Sequence, residues 1–385
     1  MLNFISQIRP YIFRLKFSSV NESNNKSDIK HYSYVDSLRG LAILAVVITH
    51  TGQMIHQLPS WILAITSKGA YGVQLFFIVS SLTLFLSYNK RKNIDGVNTN
   101  KFFYVRRFFR IVPAFYLAIL IYLPVMLAEN YYFLGHFSSV NWFNIFVYMI
   151  FMGIFYPPSM YYLPFGGWTV EIEMFYYIFI PFLNRIIINL KRALLFFIFT
   201  SLFYLTLANL FPRLTPHESL LVFPEQLPVF VLGILSYYLI VHKTNFLEKN
   251  STSIMIISVV YLGLMTFFVD DISFLPSSWL VSFGWVGITL AMAMKKFSIL
   301  ENRLTKFFGK ISYSLYLWHF LVVGVVWFLY KKSNYFYGAI DPITSFIILT
   351  SVVLIISTII SYLSYKFVEE KGINFGKVLI NKKIL

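Results

Sequence analysis

Ser37-Leu38-Arg39-Gly40-Leu41-Ala42-Ile43-Leu44-Ala45-Val46-Val47-Ile48-Thr49-His50 is an apolar run that carries one arginine and one histidine. It reads as part of a membrane-spanning helix, where charged and titratable side chains are expensive and mark function by default. Arg39 and His50 are eleven residues apart. At 100° per residue that is about three turns, so both side chains project from one face. At about 1.5 Å rise per residue they are separated by about 16 Å along the helix axis. An arginine at one membrane surface and a histidine within the bilayer suit a long ligand with an anionic head and a reactive end. The plainer alternatives are a surface anchor for Arg39 and an interhelical hydrogen bond for His50.

The rest of the chain has the same character. Of its 385 residues, 58% are hydrophobic and 20% aromatic, and only 12% are charged, against about 25% in soluble domains. Mean hydropathy is +0.68. These values specify a polytopic, all-α membrane helix bundle. The 42 Phe and 27 Tyr suit lipid-facing surfaces and interfacial belts. The net charge of +16 is concentrated in short loops. It therefore reads as an orientation signal and a contact with anionic membrane lipid, and no nucleic-acid partner is expected. The absence of cysteine excludes disulfides, thiolate metal sites and an acyl-cysteine intermediate.

Apolar runs of spanning length fall at 38–56, 71–89, 111–128, 164–183, 193–211, 223–241, 252–269, 279–294, 311–330 and 343–363, with a shorter run at 142–157. Basic loops at 90–110 and 295–310, and the basic termini, are assigned to the cytoplasm, and Asp270 and Asp271 to an outer loop. If 142–157 crossed once, Arg185, Lys191 and Arg192 would fall outside. A re-entrant or interfacial 142–157 removes that conflict and predicts ten spans with both termini cytoplasmic. Lys331 and Lys332 stay outside as an exception. The expected organisation is a cytoplasmic tail over 1–35, a transmembrane domain over 36–366 and a cytoplasmic tail over 367–385. The first 35 residues lack the apolar core of a signal peptide. Phe4 to Leu15 reads as either an interfacial segment or disordered tail, with Pro10 interrupting it.

Four further stretches carry chemistry. Arg107 and Arg110, at i and i+3, share a face where the third span opens. A helix N-terminus with two guanidiniums is an anion site, although a cluster of this kind is also an ordinary topology signal. Trp168 to Tyr177 holds two carboxylates near the outer end of a span. Glu171 and Glu173 point to different sides, and Glu173 shares a face with Tyr177. Glu173 suits the orientation of an imidazole or of a sugar hydroxyl, or a structural pairing with an arginine. In Gly309 to His319, the residues Ser312, Tyr316 and His319 form a polar stripe, which also fits helix-to-helix hydrogen bonding. Gly72 to Ser81 mixes small, polar and aromatic positions and reads as helix packing.

Together these stretches resemble the acyltransferase-3 family of integral membrane acyltransferases. The matching elements are Asp36-Ser37-Leu38-Arg39-Gly40 with His50, the stretch from Gly72, Arg107 with Arg110, Trp168 to Tyr177, and Ser312 to His319. They follow the family's order and cover most of the chain. Gln74 and Ser81 stand where the family usually has an acidic residue and a glycine, and Thr169-Val170 replaces the commoner Ser-Leu. The resemblance implies a stand-alone form, without the C-terminal hydrolase-like domain of some relatives, in the cytoplasmic (inner) membrane.

The resemblance also implies transfer of an acyl group, usually acetyl, from cytoplasmic acyl-CoA (acetyl-CoA by default) to a carbohydrate acceptor outside, with no metal. On this reading Arg39, Arg107 and Arg110 hold the CoA phosphates. His50 is the general base or carries the acyl group transiently. Glu173 orients His50 or the acceptor, and His319 lies nearer the donor path. A transporter or flippase of a glycan or lipid is the alternative by composition. It would place coupling carboxylates near the midplane, whereas the charged pairs here sit near span ends.

Overall fold

The computed structural model describes residues 32–55, 58–134, 140–156, 163–211, 221–242, 245–272, 274–333 and 340–382. The expected tail up to residue 31, with its segment Phe4 to Leu15, lies outside the described residues. The described chain is helical, with no strand among the described residues. The order is α1 (Ser33–Gly52), α2 (Ser60–Ser67), α3 (Gly72–Asp95), α4 (Thr99–Leu134), α5 (Trp142–Met149), α6 (Trp168–Ile186) and α7 (Leu190–Leu210). Then follow α8 (Val222–Val241), α9 (Asn245–Phe268), α10 (Ser277–Met294), α11 (Arg303–Lys310), α12 (Ser312–Lys332), α13 (Pro342–Ser364) and α14 (Glu370–Asn381).

The chain forms an all-α polytopic membrane bundle. Eight continuous stretches among the described residues are long and apolar enough to cross a membrane, and one of them, Ser60–Ala128, contains both α3 and most of α4. Helix α6 covers the expected fourth span but carries Glu171, Glu173 and Arg185, which dilute its apolar character. Among the described residues, the shorter run over 142–157 holds a 3-10 turn at Gly153–Phe155 and one α-helix, α5, of 8 residues. At about 12 Å it is too short to cross.

Helix α1 is the hub. It packs against α3, α11, α12 and α13, and Leu38, Ile43 and Val47 on it are fully buried. Its approach to α11 is close enough to exclude side chains. A Cβ on Gly309 would overlap the Asp36 carbonyl oxygen, and one on Gly40 would overlap that of Thr305. The contact is tied by Thr305 Oγ1 donating to Ser37 Oγ at 3.1 Å, an arrangement of small and hydroxyl residues suited to helix contact in lipid. Gln74 and Ser81 on α3 serve packing against α8. Gln74 donates to Gln226 at 3.1 Å, and Ser81 donates to the Phe230 carbonyl at 2.7 Å.

At the far end of α12, Lys331 and Lys332 rest over aromatic rings, those of Trp327 and of Tyr132 and Phe328. Such contacts hold a lysine without a cytoplasmic location. After α13, a π-turn over Tyr365–Glu369 leads into α14. Much of the stretch expected as a C-terminal tail is therefore folded: α14 packs on α4, with Phe109 and Phe375 ring centroids 5.2 Å apart.

Candidate functional site

Five elements, α1, α3, α4, α6 and α12, line a partly open cavity. Arg39, Arg107 and Arg110 all line it, together with Glu173, Tyr177, Ser312 and Tyr316. The three guanidiniums are half-buried. Arg39 Nη2 donates to Thr83 Oγ1 at 3.2 Å, and Arg107 Nη2 donates to Ser87 Oγ at 3.3 Å. Thr83 and Ser87 are one turn apart on α3, so one helix face holds two arginines from different helices. The Arg107 guanidinium also lies 5.6 Å from the ring centroids of Phe103 and Tyr177, and its Nε, buried, finds no hydrogen-bond partner among the described residues. Three cations with donor capacity to spare, converging on one cavity, make a site for an anionic ligand.

Glu173 is the countercharge within this cavity. It accepts hydrogen bonds from Ser80 and, at 2.5 Å, from Tyr177 OH. The sequence placed Glu173 near an outer surface, approaching His50 from the side opposite the arginines. The structure puts it among the arginines, and its hydrogen bonds go to Ser80 and Tyr177 instead of His50. The reason is where α6 begins. The turn before it is sunk into the bundle: Leu163 is buried, and the Gly166 carbonyl accepts from Tyr316 OH on α12 at 3.0 Å. Irregular backbone at depth is tolerated where protein surrounds it. Glu173 follows more than a turn later, level with the arginine cavity.

Glu171 points elsewhere, as its spacing from Glu173 requires. It is fully buried, and its Oε1 accepts the Gly153 N–H at 2.8 Å. It anchors the short turn after α5 to α6.

His50 lies beyond the cavity, in the last turn of α1. Its Nδ1 is 3.0 Å from Gln53 Oε1. An Nδ1–H donating to that oxygen leaves the Nε2 lone pair free to accept a proton. Its neighbours are Phe320, with ring centroids 4.2 Å apart, and His319, at 5.5 Å. His319 is fully buried, with Nδ1 2.8 Å from the Tyr316 carbonyl oxygen and 3.2 Å from that of Leu315. Carbonyl oxygens only accept, so Nδ1 carries the proton and Nε2 is the acceptor; Nε2 has no partner among the described residues. The sequence placed His319 nearer the donor path, and the structure sets its ring beside that of His50. The polar stripe on α12 is continuous: Ser312 and Tyr316 line the arginine cavity, and the Tyr316 ring centroid is 5.6 Å from that of His319.

Four contributors, Thr83, Ser87, Gln53 and Glu369, escaped the sequence reading. Thr83 and Ser87 are ordinary helix residues until the arginines are seen to reach them. Gln53 is exposed, and its i+3 spacing from His50 was its one visible signal. Glu369, in the π-turn, is buried, accepts from Ser314 Oγ at 3.0 Å, and has Arg110 and Arg39 as interacting charges. It lay in a stretch read as tail, which hid it. π-turns often occur at functional positions.

The sequence is similar to those of known proteins. The model of the acyltransferase-3 acyltransferase domain matches residues 32–362, which contain every candidate residue named so far except Glu369. A protein of Acidianus two-tailed virus named "Putative acetyltransferase ORF330" is 26% identical over 297 residues, covering 76% of this chain and 84% of its own. "O-acetyltransferase OatA" of Staphylococcus aureus is 24% identical over 91% of this chain, and another S. aureus protein, named "Putative O-acetyltransferase", is 25% identical over the same share. The chain spans 59% of the length of these two staphylococcal relatives. No solved structure matches the chain.

Proposed function

The chain belongs to the acyltransferase-3 family and is a multi-pass membrane acyltransferase, and we propose that it transfers an acyl group, acetyl by default, from acyl-CoA to a carbohydrate hydroxyl across the membrane. The staphylococcal and viral relatives carry acetyltransferase names, which supports acetyl as the transferred group. The observation that carries the reading is the alignment of two sites along α1 and α12. An arginine cavity for an anionic head lies at Arg39, and a pair of neutral-capable imidazoles lies about three turns away at His50.

On this reading Arg39, Arg107 and Arg110 bind CoA phosphates from the cytoplasmic side of the inner membrane. Charge-assisted, forked hydrogen bonds suit that role. Glu173 and Glu369 offset the mutual repulsion of the guanidiniums in the absence of phosphate. The pantetheine arm extends past Tyr316 and delivers the thioester at His50. His50 Nε2 takes the proton of the acceptor hydroxyl as its oxygen forms a bond to the thioester carbonyl carbon. The C–S bond then breaks, and the leaving thiolate takes the proton from the imidazolium. Gln53 holds the His50 tautomer. Only the acyl group passes to the far side.

Mass spectrometry of envelope glycans from cells with and without the protein tests the reading. An acyl-sized mass increment that depends on the protein is expected. Identical glycan masses, with the protein present in the membrane, would overturn it.

A further inference from the structure

A second feature, an apolar groove open along one side, lies between α4 and α12 beyond the histidines. Its lining contains no charged side chain and includes Phe320, Leu321, Gly324, Val325 and Phe328 from one helix. Tyr122 and Tyr132 also line it, and Lys332 rests over the Tyr132 and Phe328 rings at its far end; near the histidines the Tyr122 hydroxyl is committed, donating to the Leu317 carbonyl at 2.7 Å and accepting from Leu321 N–H at 3.0 Å. A polyhydroxylated sugar would strand its hydroxyls here, because buried polar groups need partners. An apolar chain would not.

The position of this groove relative to the histidines is specific. Phe320 is part of its wall, and the same ring lies 4.2 Å from His50 and 4.3 Å from His319. The groove therefore begins one ring from the proposed point of transfer and runs away from the arginine cavity. Along α12 the order is Tyr316, His319, Phe320, Gly324, Phe328, one turn per step after Phe320. From Phe320 to Phe328 the groove extends about 12 Å. Gly324 lies midway and is exposed, as is Val325, and a Cβ at 324 would meet no atom within 4 Å, so the floor of the groove there opens to the bundle surface and has room for a chain.

We propose that this groove is an acyl-chain subsite, receiving the apolar tail of a donor longer than acetyl when its thioester lies at His50. The inference rests on the acyl-transfer reading and deepens it. A donor held by its phosphates at the arginines and by its thioester at His50 has its acyl tail as the next segment, and the groove is next in line. The protein then accepts medium-length acyl groups as well as acetyl.

The test offers acetyl-CoA and octanoyl-CoA to membrane vesicles that contain the protein and its native glycans, and reads acylated glycan by mass spectrometry. Wild type is expected to transfer both groups. Gly324→Phe, which fills the floor, is expected to lower the ratio of octanoyl to acetyl transfer by about tenfold or more, since loss of apolar pocket contact discriminates on that scale. Gly324→Leu, read by the same ratio, serves if the larger plug abolishes both transfers. Acetyl transfer without octanoyl transfer by wild type overturns the subsite and leaves the acyl-transfer reading standing. Transfer of neither group overturns both. An unchanged ratio in the plugged variants means that the groove holds a membrane lipid or nothing, and also overturns the subsite.

Discussion

The imidazoles of His50 and His319 lie with ring centroids 5.5 Å apart, and both pack on the ring of Phe320. They are not equivalent. His319 is fully buried with its Nδ1 proton fixed by backbone carbonyls, whereas His50 is half-buried at a helix end and bonded to an exposed amide. On the proposed reading, His50 is the imidazole that meets the acceptor and His319 is a positioning residue behind it.

His319→Ala is expected to damage stability as well as activity. Removing a fully buried ring leaves a cavity, and large-to-small changes of this kind cost about 2–5 kcal/mol. The variant should melt earlier in detergent than wild type and transfer acyl groups more slowly. An unchanged melting temperature would contradict the packing described.

Gln53→Ala separates orientation from structure. Gln53 is exposed, so its loss should change stability by no more than about 0.5 kcal/mol. Losing the tautomer-holding bond should lower kcat by about tenfold, on the scale of one hydrogen bond of about 1 kcal/mol or slightly more, with KM for acyl-CoA little changed. A full-rate Gln53→Ala enzyme would remove Gln53 from the site.

Arg107→Ala and Arg110→Ala are expected to raise KM for acyl-CoA about tenfold or more. A hydrogen bond to a charged group contributes about 1.5–3 kcal/mol. Raising the ionic strength should weaken donor binding in wild type more than in either variant, because half-buried charges are still partly screened. Unaltered donor dependence in both variants would remove them from the donor site.

Gly309→Val tests the hub of the bundle. Its side chain would collide with the Asp36 backbone, and overpacking typically costs about 1–3 kcal/mol. The variant should denature at lower temperature in detergent. A stable Gly309→Val protein would mean that α1 and α11 sit further apart than described.

The sequence carried the class of the fold because a membrane helix is written in its composition: ten apolar runs correspond to the ten long helices from α1 to α13. The Arg39–His50 spacing was legible for the same reason, since a regular helix converts sequence distance directly into depth and face. Depth of entry was not legible. Glu173 was misplaced because a buried turn at 163–167 starts α6 inside the bundle, and no local pattern reports burial of a turn. The pairing of His50 with His319 depends on how α1 and α12 pack, which is a property of two helices together. Glu369 was hidden because a charged, basic stretch reads as tail until α14 is seen docked on α4.

The most direct test is acyl transfer by purified protein in proteoliposomes, with labelled acetyl-CoA on the cytoplasmic side and acceptor glycan on the other. His50→Ala should reduce label in the glycan by about two to four orders of magnitude, the usual contribution of a positioned general base, with the variant still folded and inserted. Labelling at the wild-type rate by that variant would contradict a catalytic role for His50 and, with it, the route from the arginine cavity to the acceptor.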